Sequence, residues 1–303
     1  MHKIGSEKMR HAFLIIAHNN WSLLARLLRK LDHCDNDIYL HIDLKAKLED
    51  AEEILRDCCK YSQIVFVNRT SVTWGGYSQI NCELRLFEEA SKQRYDYYHV
   101  FSGIDFPTKP MNVIHEFFEK NAGLEFIHMC DDGFVKKSAE KYRLYHFLQE
   151  YVGKERDGLL FQIERTLLFL QRRILKVNRD NKFDDMEYKC GSNWCSITDS
   201  CVRFLLQNEV KIRKMFKYTL CCDEFFVQTM VYNSCFKEKL YSYQKGVEGT
   251  RQNLRSIDWT RGNPYTYKID DYAELVESPN LFCRKVSCAT KEYEELVNKL
   301  EKF

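Results

Sequence analysis

The sequence predicts an α/β protein, with a central, mostly parallel sheet and helices on both faces. Apolar runs of strand type alternate with segments of helical period from the start of the chain: strand, helix, strand, helix, strand. His18, Asp43 and Lys45 all fall directly after such strands, where open α/β sheets hold their ligands. At 303 residues the chain can bury a large core, and it reads as one domain over 10–303 behind a short charged extension, 1–9.

HAFLIIAHNN gives a first strand that ends at His18-Asn19-Asn20, and Leu23, Leu24, Leu27, Leu28 and Leu31 then keep the helical period. DIYLHID gives a second strand closing on Asp43, a helix is expected over about Leu48 to Lys60, and QIVFVN supplies a third strand. In VTWGGYS, Trp74 and Gly75 belong to a turn whose glycine pair permits close backbone approach ahead of the helix INCELRLFEEA. YDYYHVFSGIDFP is a strand that stops at Gly103 and Pro107, which leaves Asp105 on the following loop. His99 within it reads as a satisfied core histidine.

Residues 154–182 read as a basic, amphipathic helical excursion. Its leucines, phenylalanines and arginines fit either packing on the domain or contact with an anionic lipid surface. GSNW, with Ser192 and Trp194, marks a turn before a further helix, and CCDEFF opens another. LRSIDW, a Gly-Asn-Pro turn and SPNLFCRKV complete the chain.

Lys plus Arg (46) nearly balances Asp plus Glu (44), so the global charge points to no nucleic-acid partner. Thirteen cysteines with two vicinal pairs and no Cys-x-x-Cys argue against a disulfide scaffold and structural zinc, and suit a reducing cytosol. No apolar run is long enough for a signal core or a membrane span, so the chain is expected to be cytoplasmic, at most peripheral at an inner membrane face.

Among the acids, Asp223 is placed to cap a helix beginning near Cys222, and Glu224 would lie in its first turn, where the dipole favours an ionised carboxylate that can act as a base. Arg255 and Lys285 are cations from separate segments that could converge on a pyrophosphate. The Asp35-Asn36-Asp37 run precedes its strand and so lies at the wrong edge for a metal-bound diphosphate, and no metal or cofactor is expected. The Gly-rich nucleotide motifs and the Gly-x-Ser-x-Gly elbow are absent.

HAFLIIAHNN with HIDLKA, VTWGGYS, YYHVFSGIDFP, GSNW, CDEFF, LRSIDW and SPNLFCRK resemble, in that order, the core-2/I-branching glycosyltransferase family, over about Arg10 to Val286. That family includes β-1,6-N-acetylglucosaminyltransferases and peptide O-xylosyltransferases. The resemblance implies a GT-A-type, Rossmann-like fold, a UDP-sugar donor, inversion at the anomeric carbon and no metal requirement. It places the catalytic glutamate on Glu224, with Cys222 standing where the family has proline, and the diphosphate-binding pair on Arg255 and Lys285. His18, Asp43 and Asp105 match donor-binding positions, while Trp74, Gly75, Ser192 and Trp194 are candidates for the donor and acceptor pocket. The transferred sugar is GlcNAc or xylose, with LRSIDW and the Ser-Pro-Asn turn closer to the xylosyltransferase side, and the acceptor is a glycan or glycoconjugate. The whole looks like a bacterial enzyme of surface polysaccharide synthesis. A non-catalytic carbohydrate- or membrane-surface-binding module on the same scaffold is the rival. A hydrolase using Asp223 with Glu224 is disfavoured, because adjacent side chains diverge.

Overall fold

The computed structural model describes residues 8–48, 51–183 and 185–303. Most of the expected extension, 1–9, therefore lies outside the described residues. The main sheet has the order β3-β2-β1-β4-β6, built from β1 (His11–Ala17), β2 (Asn36–Ile42), β3 (Ile64–Phe66), β4 (Tyr97–Ser102) and β6 (Ser196–Thr198). β1 to β4 run parallel and β6 antiparallel to β4, which agrees with the mostly parallel sheet read from the sequence. A second sheet, β5-β8-β7, joins β5 (Asp105–Pro107), β8 (Phe282–Arg284) and β7 (Arg255–Ile257). Asp105 is thus the first residue of a strand paired with Arg284, where the sequence suggested a loop.

The helices are α1 (Trp21–Leu31), α2 (Ala51–Arg56), α3 (Ser78–Ala90), α4 (Met111–Lys120), α5 (Asp132–Lys137), α6 (Glu140–Arg143), α7 (Gln149–Val152), α8 (Leu159–Arg173), α9 (Asp199–Gln207), α10 (Glu209–Phe216), α11 (Phe226–Tyr232), α12 (Tyr241–Lys245), α13 (Tyr272–Glu277) and α14 (Lys291–Lys302). The leucines of α1 all turn inward, and with α4, α13 and α14 they bury one face of the sheet. α3, α9, α10 and α11 bury the other. The parallel strands end together at Ala17, Ile42, Phe66 and Ser102. Because β6 runs the opposite way, the residues leading into it arrive at this same carboxyl edge.

At the opposite edge the sheet buries a stack of histidines. His11 Nδ1 lies 2.9 Å from His99 Nε2, His99 Nδ1 lies 2.8 Å from Ser196 Oγ, and the His11 and His115 rings stack at 4.4 Å. His99 is the satisfied core histidine expected. Burial pushes His11 and His99 well below the ordinary histidine value, and lowers His41, His115 and His146 to about 4. His41 Nε2 accepts the Thr70 N–H at 3.0 Å, a bond that only the unprotonated nitrogen can make.

The unfolded chain, with histidines near 6.5, therefore binds protons first as pH falls. Stability is full above about pH 6.5 and is lost as pH drops toward the folded values near 4, by up to about 1.4 kcal/mol per pH unit for each histidine. Urea titrations between pH 7 and 4.5 should show a steeply falling midpoint. A midpoint that stays flat over that interval would contradict the buried, neutral assignment.

Candidate active site

Cys221 adopts a left-handed backbone (φ 51°) and is followed by a single 3-10 turn, Cys222–Glu224. The regular helix α11 starts only at Phe226, so neither acid occupies its first turn, and Asp223 does not cap it. Asp223 is instead buried beneath Glu224, and its Oδ2 accepts a hydrogen bond from Gln79 Nε2 of α3 at 2.9 Å. Burial first, then the neighbouring Glu224 charge, raises its pKa well above the usual carboxylate range. Glu83 of α3 faces the same spot, fully buried, and burial with the neighbouring Asp223 charge pushes its pKa well above the usual carboxylate range.

Glu224 points the other way. Its Oε2 lies 3.1 Å from Lys141 Nζ, and it is about half-exposed. Burial by itself would lower the pKa of Lys141, but the Glu224 carboxylate outweighs it and the lysine is raised. A fixed cation thus supplies the electrostatic support that the sequence had assigned to the helix dipole.

Three turns close around this acid. Gly75, at φ +73°, presents its carbonyl to the Cys221 N–H at 2.9 Å, which ties the Trp-Gly-Gly turn to the base of the acidic segment. Trp74 is partly exposed beside it, with Lys154 and Arg156 over its ring at 5.9 and 5.5 Å. The Gly191 N–H donates to the Glu224 carbonyl at 2.9 Å. A side chain at Gly191 would run into the His128 carbonyl, 1.8 Å from where its Cβ would lie, so this position requires glycine. Ser192 follows, its N–H donating to His128 Nδ1 at 3.0 Å, and Trp194 ends the turn.

Arg284 lies 4.2 Å over the Trp194 ring. Its Nη1 donates to Asp105 Oδ1 at 2.7 Å and to Ser102 Oγ. Buried Asp105 also accepts the Ser102 N–H at 2.7 Å, so its role here is to hold Arg284 at the carboxyl end of β4. From Gly191 to Trp194 the chain can span at most about 10 Å. The Glu224 backbone and the Arg284 guanidinium therefore flank one short turn.

Arg255 does not join them at the surface. It is fully buried, with Nη1 donating to the Asn253 carbonyl at 2.6 Å and Nη2 to the carbonyls of Val100 and Cys195 at 3.1 and 3.0 Å. Phe101 and Phe282 lie 5.2 Å from its guanidinium carbon. Burial lowers its pKa to about 10, so it remains charged. Arg255, expected to pair with Lys285 on a ligand, is thus buried beneath the cleft, while Arg284 reaches the Trp194 ring and Lys285 follows it, half-buried and without an ion-pair partner among the described residues.

Asp43 and His18 lie at the neighbouring strand ends, joined by the Asp43 N–H to Ala17 carbonyl bond at 2.9 Å. Asp43 Oδ1 accepts the Lys45 N–H at 2.9 Å, and His18 is exposed. Among the described residues one potential metal-ligating group occurs, His33, Cys34 and Asp35. It sits before β2, at the edge opposite Glu224. Asp37 is tied to Arg10 and Tyr95 at 2.5 and 2.7 Å.

Sequence reasoning missed Arg284 and Lys141. The first stood in plain view in the Arg-Lys doublet. The second carried no signal, because 131–153 shows no sustained period.

The sequence model described as Core-2/I-Branching enzyme matches residues 11–277. Xylosyltransferase 2 of Rattus norvegicus is 25% identical over 303 residues, covering 93% of this chain and 32% of that protein. The Homo sapiens protein of the same name is 24% identical over 298 residues (91% and 32%), and Xylosyltransferase of Ciona intestinalis 21% over 311 (97% and 34%). The chain therefore spans about a third of the length of these relatives. A crystal structure of S. aureus TarS aligns with a TM-score of 0.30 at 11% identity over 40% of this chain and 21% of that one, too slight a likeness to build on.

Proposed function

Since the chain belongs to the Core-2/I-branching enzyme family of glycosyltransferases, we propose that it moves a sugar from a UDP-sugar to an acceptor hydroxyl by a single, inverting displacement without a metal ion. The observation that carries this reading is that the short Gly191–Trp194 turn is bonded at one end to the backbone of Glu224, whose carboxylate pairs with Lys141, and carries the Arg284 guanidinium over its other end.

Glu224 takes the proton of the acceptor hydroxyl as that oxygen bonds to the anomeric carbon, and the bond from that carbon to the UDP oxygen breaks on the opposite face. Lys141 holds Oε2, leaving Oε1 for the acceptor. Arg284 and Lys285 neutralise the charge growing on the departing diphosphate, the part a divalent ion plays in other sugar transferases. Arg255 supports them from below, holding the carbonyls under the site in place. His18 and Asp43 line the nucleoside side, Trp74 and Ser192 the sugar and acceptor side. Thirteen free thiols support work in a reducing compartment. The names of the relatives favour UDP-xylose over UDP-GlcNAc, with a glycan or glycoconjugate as acceptor.

Thermal denaturation with UDP at about a hundredfold excess over its dissociation constant should raise the midpoint by a few degrees, undiminished by EDTA. A rise that vanishes with the chelator would overturn the metal-free assignment. UDP-xylose and UDP-GlcNAc compared in the same assay rank the donors.

A further inference from the structure

Helix α8 is packed inside out. Of its fifteen residues, only Glu164 and Gln171, two turns apart on one face, are buried. Glu164 Oε2 accepts the Leu148 N–H at 3.1 Å, while Gln171 accepts the Tyr145 N–H at 2.8 Å and donates to the Tyr145 carbonyl at 2.9 Å. The helix is thus fastened to the body by polar bonds to backbone. Its apolar side chains face outward: Leu159 is 77% exposed, Ile163 42%, Leu170 37% and, just past the helix, Ile174 64% and Leu175 68%. Leu159, Ile163, Leu167, Leu170 and Ile174 follow the i, i+4, i+8, i+11, i+15 spacing of a single stripe. A helix facing only water would place these leucines inward and the glutamate outward.

The charge around the stripe says what covers it. Residues 154–176 carry six basic side chains against three acidic, a surplus larger than the +2 of the whole chain. One of the three acids is the buried Glu164. Arg172 is engaged by Glu140 at 2.6 Å, but Lys154, Arg156, Arg165, Arg173 and Lys176 form no ion pair with an acid among the described residues. Near the far side, Tyr218 packs edge-on to Tyr145 and Phe147 and opens onto a groove of about 410 Å³ also lined by Val210, Arg213, Lys214 and Lys217, with Glu209 the single acid among them. Exposed leucine and isoleucine beside uncompensated arginine and lysine match the acyl and headgroup layers of an anionic bilayer. A second copy of this chain would set the same basic segment against itself.

We infer that α8 docks the protein on an anionic membrane surface, with the Leu159–Ile174 stripe in the acyl boundary and the flanking cations at the headgroups. Among the described residues no helix is long and apolar enough to cross a membrane, and α8, at fifteen residues, is a surface-lying helix. Lys154 and Arg156, which bracket Trp74, set the start of the docking segment at the rim of the Glu224 cleft.

The test is co-sedimentation of the full chain with vesicles of equal parts phosphatidylglycerol and phosphatidylcholine, and with phosphatidylcholine alone. Binding to the mixed vesicles should exceed that to the neutral ones by about tenfold or more and should weaken with salt. Leu159→Ser with Ile163→Ser and Ile174→Ser should abolish it, as should Arg165→Glu with Arg173→Glu, while circular dichroism and the UDP-induced thermal shift stay unchanged. Failure to pellet, equal binding to both vesicles, or a lipid-free dimer broken by the serine variant would each overturn the inference. Because UDP stabilisation is read separately, these outcomes do not depend on the donor assignment.

Discussion

Glu224→Gln should lower the rate of sugar transfer by about 10² to 10⁴-fold, equivalent to roughly 3–5 kcal/mol of transition-state stabilisation. UDP should still stabilise the variant. Glutamine keeps the shape of the side chain and can still meet Lys141, but it cannot take the acceptor's proton. The Glu224 side chain is 43% exposed, so the change should leave folding intact, and a loss of turnover then reports on chemistry. Asp223→Asn supplies the control, because that neighbour is buried, is raised toward its neutral form and bonds Gln79. Asparagine preserves the acceptor oxygen for Gln79, so transfer should survive largely intact. If Asp223→Asn proved the silent form and Glu224→Gln the active one, the two carboxylates would have to exchange roles. Single-turnover measurements with UDP-sugar and a scan of acceptor hydroxyls would decide it.

Much of the scaffold was legible because its signals are local. The apolar run of β1 and the leucine period of α1 each lie within a dozen residues, and both were read with nearly the observed bounds. The second sheet was not, since β5, β7 and β8 are three residues each and β5 finds its partner more than 170 positions away. Glu224 came from resemblance rather than from pattern, and the helix expected to begin near Cys222 starts four residues later, at Phe226, after the left-handed Cys221 and a 3-10 turn. The burial of Arg255 did leave a trace. In Arg255-Ser256-Ile257, alternate residues share a face of the strand, so a buried Ile257 draws Arg255 inward with it.

Arg255→Ala should therefore act on stability, where a surface diphosphate ligand would act on binding. Truncation leaves the carbonyls of Val100, Cys195 and Asn253 without their donor and opens a space between Phe101 and Phe282. Unpaired buried carbonyls cost about 1–3 kcal/mol each, partly relieved by relaxation, and the cavity adds to that, so a total of roughly 3–5 kcal/mol is expected. A loss of that size consumes a third or more of the stability of an ordinary domain, and the variant should melt many degrees lower or fail to accumulate. Arg284→Ala makes the contrasting case. Its guanidinium is held by Asp105 and Trp194 at the edge of the cleft, so its removal should weaken UDP stabilisation and slow transfer by about a hundredfold, with some loss of stability because buried Asp105 keeps only the Ser102 N–H and hydroxyl. Lys285→Ala, with no ion pair to break among the described residues, should weaken UDP stabilisation and transfer while the fold persists. Arg255→Met separates shape from charge at the buried site: it refills part of the space between the two phenylalanines but restores no donor, so it should recover only a minor share of the lost stability. A stable Arg255→Ala protein that had lost UDP binding would place the guanidinium on the ligand after all, and Arg284 would then be the structural partner.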